Sequence, residues 1–143
     1  MGRRRHRRLV AGSERYRWWV GHQHVTDAGP GDPPGRSRAC REVLAVVREG
    51  APGVVRVVFA SGPGRVVGGG GWGAHEGGVG RDRGYLNLHR PATVRAVIDE
   101  LVAQGRPFGP HAVDVDGWGL FDAVLGRLRP EGAHEAHGER PPP

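Results

Sequence analysis

One segment of the sequence, residues 91–105, has the pattern of an amphipathic helix with a marked start and a marked end. Pro91 suits the first helical turn, because the N–H group that proline lacks would have no partner there. Apolar residues then recur at three- and four-residue spacing, at Val94, Val97, Ile98, Leu101 and Val102. Gly105 accepts the left-handed backbone at which helices end, and Pro107 prevents a restart. The segment therefore predicts a helix that buries one face.

Apolar and β-branched runs on both sides of this helix predict strands. They lie at residues 16–25, 40–48, 54–60, 85–88 and 111–115, with a short run at 65–67. Residues 40–48 also fit two helical turns, but the short Gly/Pro turn before residue 54 favours a β-hairpin. A second helical stripe follows, at Trp118, Phe121, Val124, Leu125 and Leu128. The order predicts an α+β fold, with a small antiparallel sheet of about 4–5 strands and two helices packed on one face.

Glycine and proline are frequent, with 26 glycines and 12 prolines in 143 residues, and they gather in loops and at the ends. We therefore predict a disordered basic tail at residues 1–13 and a disordered proline-rich tail at residues 130–143. Residues 14–129 are left for a single domain, a normal size for one hydrophobic core. The sequence leaves open whether the glycine-rich residues 62–84 are ordered, since loops of that length are functional or disordered.

The residue counts exclude several enzyme classes. All 21 basic residues are arginine, so the chain lacks the lysine of a P-loop and of Schiff-base chemistry. Cys40 is the single cysteine, which excludes intrachain disulfides and thiolate-cluster zinc sites. Ser61 lacks the glycine two residues upstream that a nucleophile elbow requires. The sequence thus favours a protein that is not an enzyme and holds no cofactor.

Much of the net charge of +6 comes from the N-terminus. Five arginines lie within the first eight residues: Arg3, Arg4, Arg5, Arg7 and Arg8. Such a cluster binds nucleic acid weakly and in a salt-dependent way, or it is simply a solvated tail, which we favour. Residues 9–12 are too short for the apolar part of an export signal, and no apolar run approaches a membrane span of about 20 residues. We expect a cytoplasmic protein with no membrane contact.

Part of the sequence resembles a known group of proteins. Residues 86–100, LNLHRPATVRAVIDE, and 115–118, VDGW, together with YRWWV at 16–20, resemble small uncharacterised proteins of GC-rich actinobacteria. The resemblance covers about a third of the chain, and its motifs are structural. It implies no activity, because none is known for the group.

His22 and His24 are the candidate metal ligands. Being two residues apart on a strand, they project from the same face and offer two imidazoles to one ion. His75 or His89 would supply a third ligand. The simpler interpretation, which we favour, is that both histidines lie on an exposed face near the end of the strand.

Two further patterns share residue types and spacing with functional motifs. Asp114 and Asp116 offer carboxylates to a hard cation, but Gly117 follows directly and a calcium loop needs another oxygen ligand first. A role in a turn and in capping the next helix is favoured. The run Gly68-x-Gly70-x-x-Gly73 spells a dinucleotide fingerprint, yet no helix follows it to hold a pyrophosphate.

Tryptophans are the candidate interaction residues, because exposed tryptophan is enriched at interfaces. They are Trp18, Trp19 and Trp72. Trp18 and Trp19 are adjacent on a strand and face opposite ways, so at most one belongs to the core. We expect a small non-catalytic binding module that uses a sheet face or the glycine loop and has a possible protein partner. The alternatives are a metal-dependent enzyme built on His22 and His24, and a weak nucleic-acid binder.

Overall fold

The computed structural model describes residues 6–25, 39–68, 77–82, 84–106 and 108–129, with only the backbone at positions 24, 25 and 39. The strands in these residues are β1 (Arg7–Ala11), β2 (Glu14–Val25), β3 (Ala39–Arg48), β4 (Val54–Ala60), β5 (Arg65–Val67), β6 (Gly78–Arg81), β7 (Gly84–Asn87) and β8 (Val113–Asp116). The helices are α1 (Pro91–Ala103) and α2 (Trp118–Leu128). The tail at residues 130–143 lies outside the described residues.

The larger sheet has five strands in the order β1-β2-β3-β4-β8. The α+β class is confirmed, and so is the strand expected at residues 40–48. The expectation of a wholly antiparallel sheet is wrong at one edge, because β8 runs parallel to β4, with Val57 opposite Val115. A parallel neighbour needs a long crossover connection, and the chain between β4 and β8 contains α1 and the second sheet.

Alternation along the strands gives the large sheet two distinct faces. The inner face carries the core, including Trp18, Leu44 and Val57, which are almost completely buried. Both helices lie on this inner face. The Phe59 ring packs edge-on against Trp118 at the start of α2, with ring centroids 5.2 Å apart. Helix α1 packs against α2 and β1. We call the opposite side, which carries residues such as Arg17 and Trp19, the outer face.

Strand β1 corrects the prediction of a disordered N-terminal tail for residues 7–11, whereas residues 1–5 lie outside the described residues. Arg7–Ala11 pair with β2, so that Leu9 lies opposite Tyr16 and Ala11 is buried against the core. A two-residue turn joins the strands, and Gly12 adopts a φ of 64°, which favours glycine in a hairpin turn. The five arginines obscured a short alternating pattern in which Leu9 and Ala11 face inward.

A second sheet, in the order β5-β6-β7, forms from part of the glycine-rich segment. Strand β6 was missed because glycine has low strand propensity and offers no side chain to the hydrophobic pattern. Its glycines admit close neighbours, since a Cβ at Gly78 would lie 2.4 Å from the Tyr85 hydroxyl. The sheet also holds α2, because the Arg81 guanidinium lies over Phe121, 5.1 Å from the ring centroid. This part of residues 62–84 is therefore ordered.

Both helices match the sequence patterns at their ends. Pro91 occupies the first position of α1, and Gly105 follows its end with a φ of 71°. The expected ridge of α2 faces inward, with Trp118 and Phe121 buried. Within the residues that the structure describes, neither helix combines the length and the apolar character needed to cross a membrane.

A polar cluster joins the two helices and makes stability depend on pH. Gln104 Nε2 and Arg127 Nε donate to the carboxylate of Glu100 at 2.8 and 3.0 Å. The hydrogen bond from Gln104 and then that from Arg127 hold the pKa of Glu100 below its ordinary value of 4.5. A carboxyl group whose pKa is lower in the folded state stabilises the fold above pH 4.5, and this contribution disappears as the pH falls through the lowered pKa.

We expect Glu100→Gln to lower the urea midpoint at pH 7 and to leave it nearly unchanged near pH 2. The effect is small because the pair is near the surface. Urea unfolding of both proteins at the two pH values checks this. An equal loss at both would show that the charge of Glu100 is not responsible.

Candidate functional site

The structure divides the candidate tryptophans. Trp18 lies on the inner face and is 1% exposed, so it is a core residue and cannot meet a partner. Trp19 lies on the outer face and is partly exposed, as expected for adjacent residues on a strand. Trp72 lies outside the described residues. Of the three candidates, Trp19 is the one that the structure places on a surface.

The N-terminal arginines divide in the same way. Arg7 points inward, where it donates a hydrogen bond to the carbonyl of His89 at 2.9 Å and lies over the Trp18 ring. Arg8 is exposed on the outer face. The remaining three, Arg3, Arg4 and Arg5, lie outside the described residues. Arg8 therefore belongs to the folded sheet rather than to a loose basic tail.

His22 is buried, which corrects the expectation that it lies on an exposed face. It is on the inner face directly opposite Glu42, and the exposed fractions of the two side chains are 4% and 0%. The Nδ1–H of His22 donates to Glu42 Oε2. The pairing gives the buried Glu42 carboxylate and His22 Nδ1 a hydrogen-bonding partner, as buried polar groups require. His24 lies two residues further along β2, and its side chain is outside the described part.

The second oxygen of Glu42 connects the two sheets. Glu42 Oε1 accepts a hydrogen bond from the Gly77 N–H at 2.9 Å. Gly77, with a φ of 94°, precedes β6, and its carbonyl accepts from the N–H of Leu88 at 2.7 Å. The His89 ring packs so closely that a Cβ at Gly77 would lie 2.4 Å from it. Glu42 therefore fastens the second sheet to the first.

A metal centre is not assembled by the residues that the structure describes. No group of three or more histidine, cysteine, aspartate or glutamate side chains suited to an ion lies among them. His75, a candidate third ligand, is outside these residues. The metal site at His22 and His24 stays a prediction. The contact between His22 and Glu42 is accounted for by their burial in the core, without a metal ion.

The two aspartates near the end of the chain have separate structural roles. Asp116 Oδ1 accepts a hydrogen bond from the N–H of Trp118, the first residue of α2, at 3.1 Å, while the N-cap position itself is occupied by Gly117. Asp114 forms an ion pair with Arg56 of the neighbouring strand, with 2.7 Å between Nε and Oδ1. Most of the Gly68–Gly73 pattern lies outside the described residues.

Three arginines gather at one end of the outer face. Arg8 of β1 lies directly opposite Arg17 of β2, and Arg15 precedes Arg17 by two residues on the same face. All three are exposed. Among the residues that the structure describes, none forms an ion pair with them. Like charges directly opposite in an antiparallel pair destabilise it, so this arrangement costs the fold stability.

An aromatic pair and a recess lie next to these arginines. The rings of Trp19 and His6 are stacked, with centroids 4.2 Å apart and 9° between their planes. The recess lies beside Trp19 and spans three strands. Its lining residues are Trp19, Gly21, Gln23, Val43, Ala45, Val54 and Arg56. The recess therefore has an apolar floor, an indole wall and two polar side chains at its edge.

Comparison with known proteins gives no family. No protein-family model matches the chain, and neither a curated protein nor a solved structure matches it. The resemblance to small actinobacterial proteins stays a prediction.

Sequence reasoning missed two parts of this arrangement. The outer-face arginines were visible as alternate positions, Arg15, Arg17 and then Trp19, but the basic charge was attributed to the tail alone. Glu42 gave no signal, because a single acid inside an apolar run fits an exposed position equally well. Its partner contacts come from His22, on another strand, and from Gly77, 35 residues away in sequence.

Proposed function

We propose that the protein is a non-catalytic binding module that takes an anionic partner on the outer face of its five-stranded sheet. The proposal keeps the expected class of protein and, of the two surfaces expected for it, takes the sheet face rather than the glycine loop. The cytoplasmic location expected from the sequence stays a prediction.

One observation carries the proposal: Arg8 and Arg17 lie directly opposite each other, exposed, on adjacent strands. An anion placed between them would convert a repulsion into two charge-assisted hydrogen bonds. Arginine suits this role because its planar guanidinium binds carboxylates and phosphates with two donors. A recess at this place is lined by Arg8 and Arg17, together with residues 47–52, which include one acid, Glu49.

Opposing effects of one substitution on stability and binding test the proposal. We expect Arg8→Glu to raise the free energy of unfolding by about 0.2–1 kcal/mol, because an opposite-charge pair replaces a like-charge pair. The same change should weaken binding to heparin, a general polyanion, because it reverses a charge on the binding face. Urea unfolding gives the first quantity, and the salt concentration that elutes the protein from immobilised heparin gives the second.

Arg90→Glu is the matched control. Arg90 is exposed at the start of α1, so the variant has the same net charge as Arg8→Glu with the outer face unchanged. It should elute from heparin close to the wild type. Equal elution of the two variants would mean that net charge alone holds the polyanion, which would overturn the proposal.

A further inference from the structure

We infer that the anionic partner is a single-stranded nucleic acid, with a base at the Trp19 recess and its phosphates on the arginines beside it. This inference rests on the proposed function, since it names the partner of the same face. Two observations carry it: the line of arginines along the strand and the chemistry of the recess beside Trp19.

The arginines and the tryptophan form a line along β2. Arg15, Arg17 and Trp19 are alternate residues, so their side chains leave the same face at intervals of about 6.8 Å. Arg8 widens this line from the neighbouring strand. A row of guanidinium groups that ends at an aromatic ring matches a chain of phosphates that carries flat bases.

The recess beside Trp19 has the chemistry of a base site. Val43 and Ala45 supply apolar lining, and the Trp19 indole, which is stacked on His6 on one of its faces, supplies an aromatic wall. Gln23 and Arg56 lie at its edge, where they offer hydrogen-bonding groups to the rim of a base. Each is held in position, Gln23 by a 2.7 Å hydrogen bond from Arg41 and Arg56 by its ion pair with Asp114.

Charge and shape favour a single strand over other polyanions. An acidic peptide offers carboxylates to Arg8 and Arg17 but brings no flat ring in register with Trp19. A duplex offers phosphates, but its bases are stacked within the helix and do not reach an aromatic ring on a sheet. A single strand supplies both groups at once, and its unstacked bases fit an open strand surface.

Fluorescence anisotropy with a labelled 15-nucleotide oligo(dT) or oligo(rU) tests the inference. Trp19→Ala should weaken binding about tenfold, because one stacked base is lost. Trp19→Phe should restore most of the affinity, which a loss of packing alone would not predict. Arg8→Gln with Arg17→Gln should lower the slope of log K against log salt by about 1.4, since each phosphate contact on a single strand contributes about 0.7.

Two controls complete the experiment. Tyr85→Ala removes an exposed aromatic ring from β7, in the second sheet, and should leave affinity unchanged. A 15-bp duplex and polyglutamate of equal charge should each bind at least about tenfold more weakly than the single strand, because neither offers a base for stacking. Equal binding of polyglutamate or duplex, with no effect of Trp19→Ala, would overturn the inference and leave the anion-binding face intact. Failure of every polyanion to bind would overturn both.

Discussion

Replacing Glu42 with alanine is expected to lower the free energy of unfolding by about 3–5 kcal/mol, the range for breaking a buried, hydrogen-bonded pair by removing one partner. The carboxylate is fully buried and, within the part of the chain that the structure describes, it accepts hydrogen bonds from the imidazole of His22 and the N–H of Gly77. Without it, both donors lie in the interior facing a cavity. Since small domains are stable by only about 5–15 kcal/mol, this change removes a large share of the total.

A double-mutant cycle separates this pair from a general loss of packing. His22→Ala should also be strongly destabilising, because it leaves the Glu42 carboxylate without that partner in the interior. The double variant should cost clearly less than the two single losses added together, because it leaves neither the imidazole nor the carboxylate buried without the other. Urea unfolding at pH 7 measures all four proteins. Strictly additive losses would show that the two side chains do not stabilise each other.

Replacing Trp118 with alanine is expected to cost about 3–5 kcal/mol, the range for emptying a buried aromatic site. The indole is 3% exposed and contacts both Phe59 and Phe121, with ring centroids 5.2 Å away in each case. Arg65 of the second sheet lies over the same ring, 5.3 Å from its centroid. One side chain therefore joins the large sheet, α2 and the small sheet.

Trp118→Phe distinguishes the hydrogen bond from the packing. Trp118 Nε1 donates to the carbonyl of Ala60 at 2.8 Å, and phenylalanine leaves that carbonyl without this donor. We expect a loss of about 1–3 kcal/mol, smaller than that for alanine. Thermal and urea unfolding of both variants check the order. If phenylalanine costs as much as alanine, the hydrogen bond rather than the ring holds the three elements together.

Local patterns in the sequence were sufficient for most of the fold. The α1 pattern between Pro91 and Gly105, and the inward ridge of α2, depend on spacing within one segment. Both are confirmed except at Val102, which was expected on the buried face of α1 and is 56% exposed. Pairing between distant segments was not predictable in this way. The parallel contact of β8 with β4 joins Val57 to Val115, and no residue pattern in either strand specifies that direction.

The candidate site shows the same division. Alternation along β2 correctly separated Trp18 from Trp19, because two adjacent strand residues must face opposite ways. The burial of His22 was not predictable, since it depends on Glu42 arriving from β3 and on Gly77 arriving from the glycine-rich segment. The pairing of Arg8 with Arg17 was not predictable for another reason. It depends on strand β1, and a run of arginines is normally solvated and does not indicate a strand.

The parallel pairing of β4 with β8 has a consequence during synthesis of the chain. Strand β4 is made more than 50 residues before β8, so it emerges as an unpaired edge whose sequence VVRVVFA favours aggregation. Arg56, the third of its seven residues, places a charge within this apolar segment, which lowers its tendency to aggregate. When β8 arrives, Asp114 neutralises that same charge. The same arginine thus opposes aggregation of the newly made strand and later stabilises the pairing of β4 with β8.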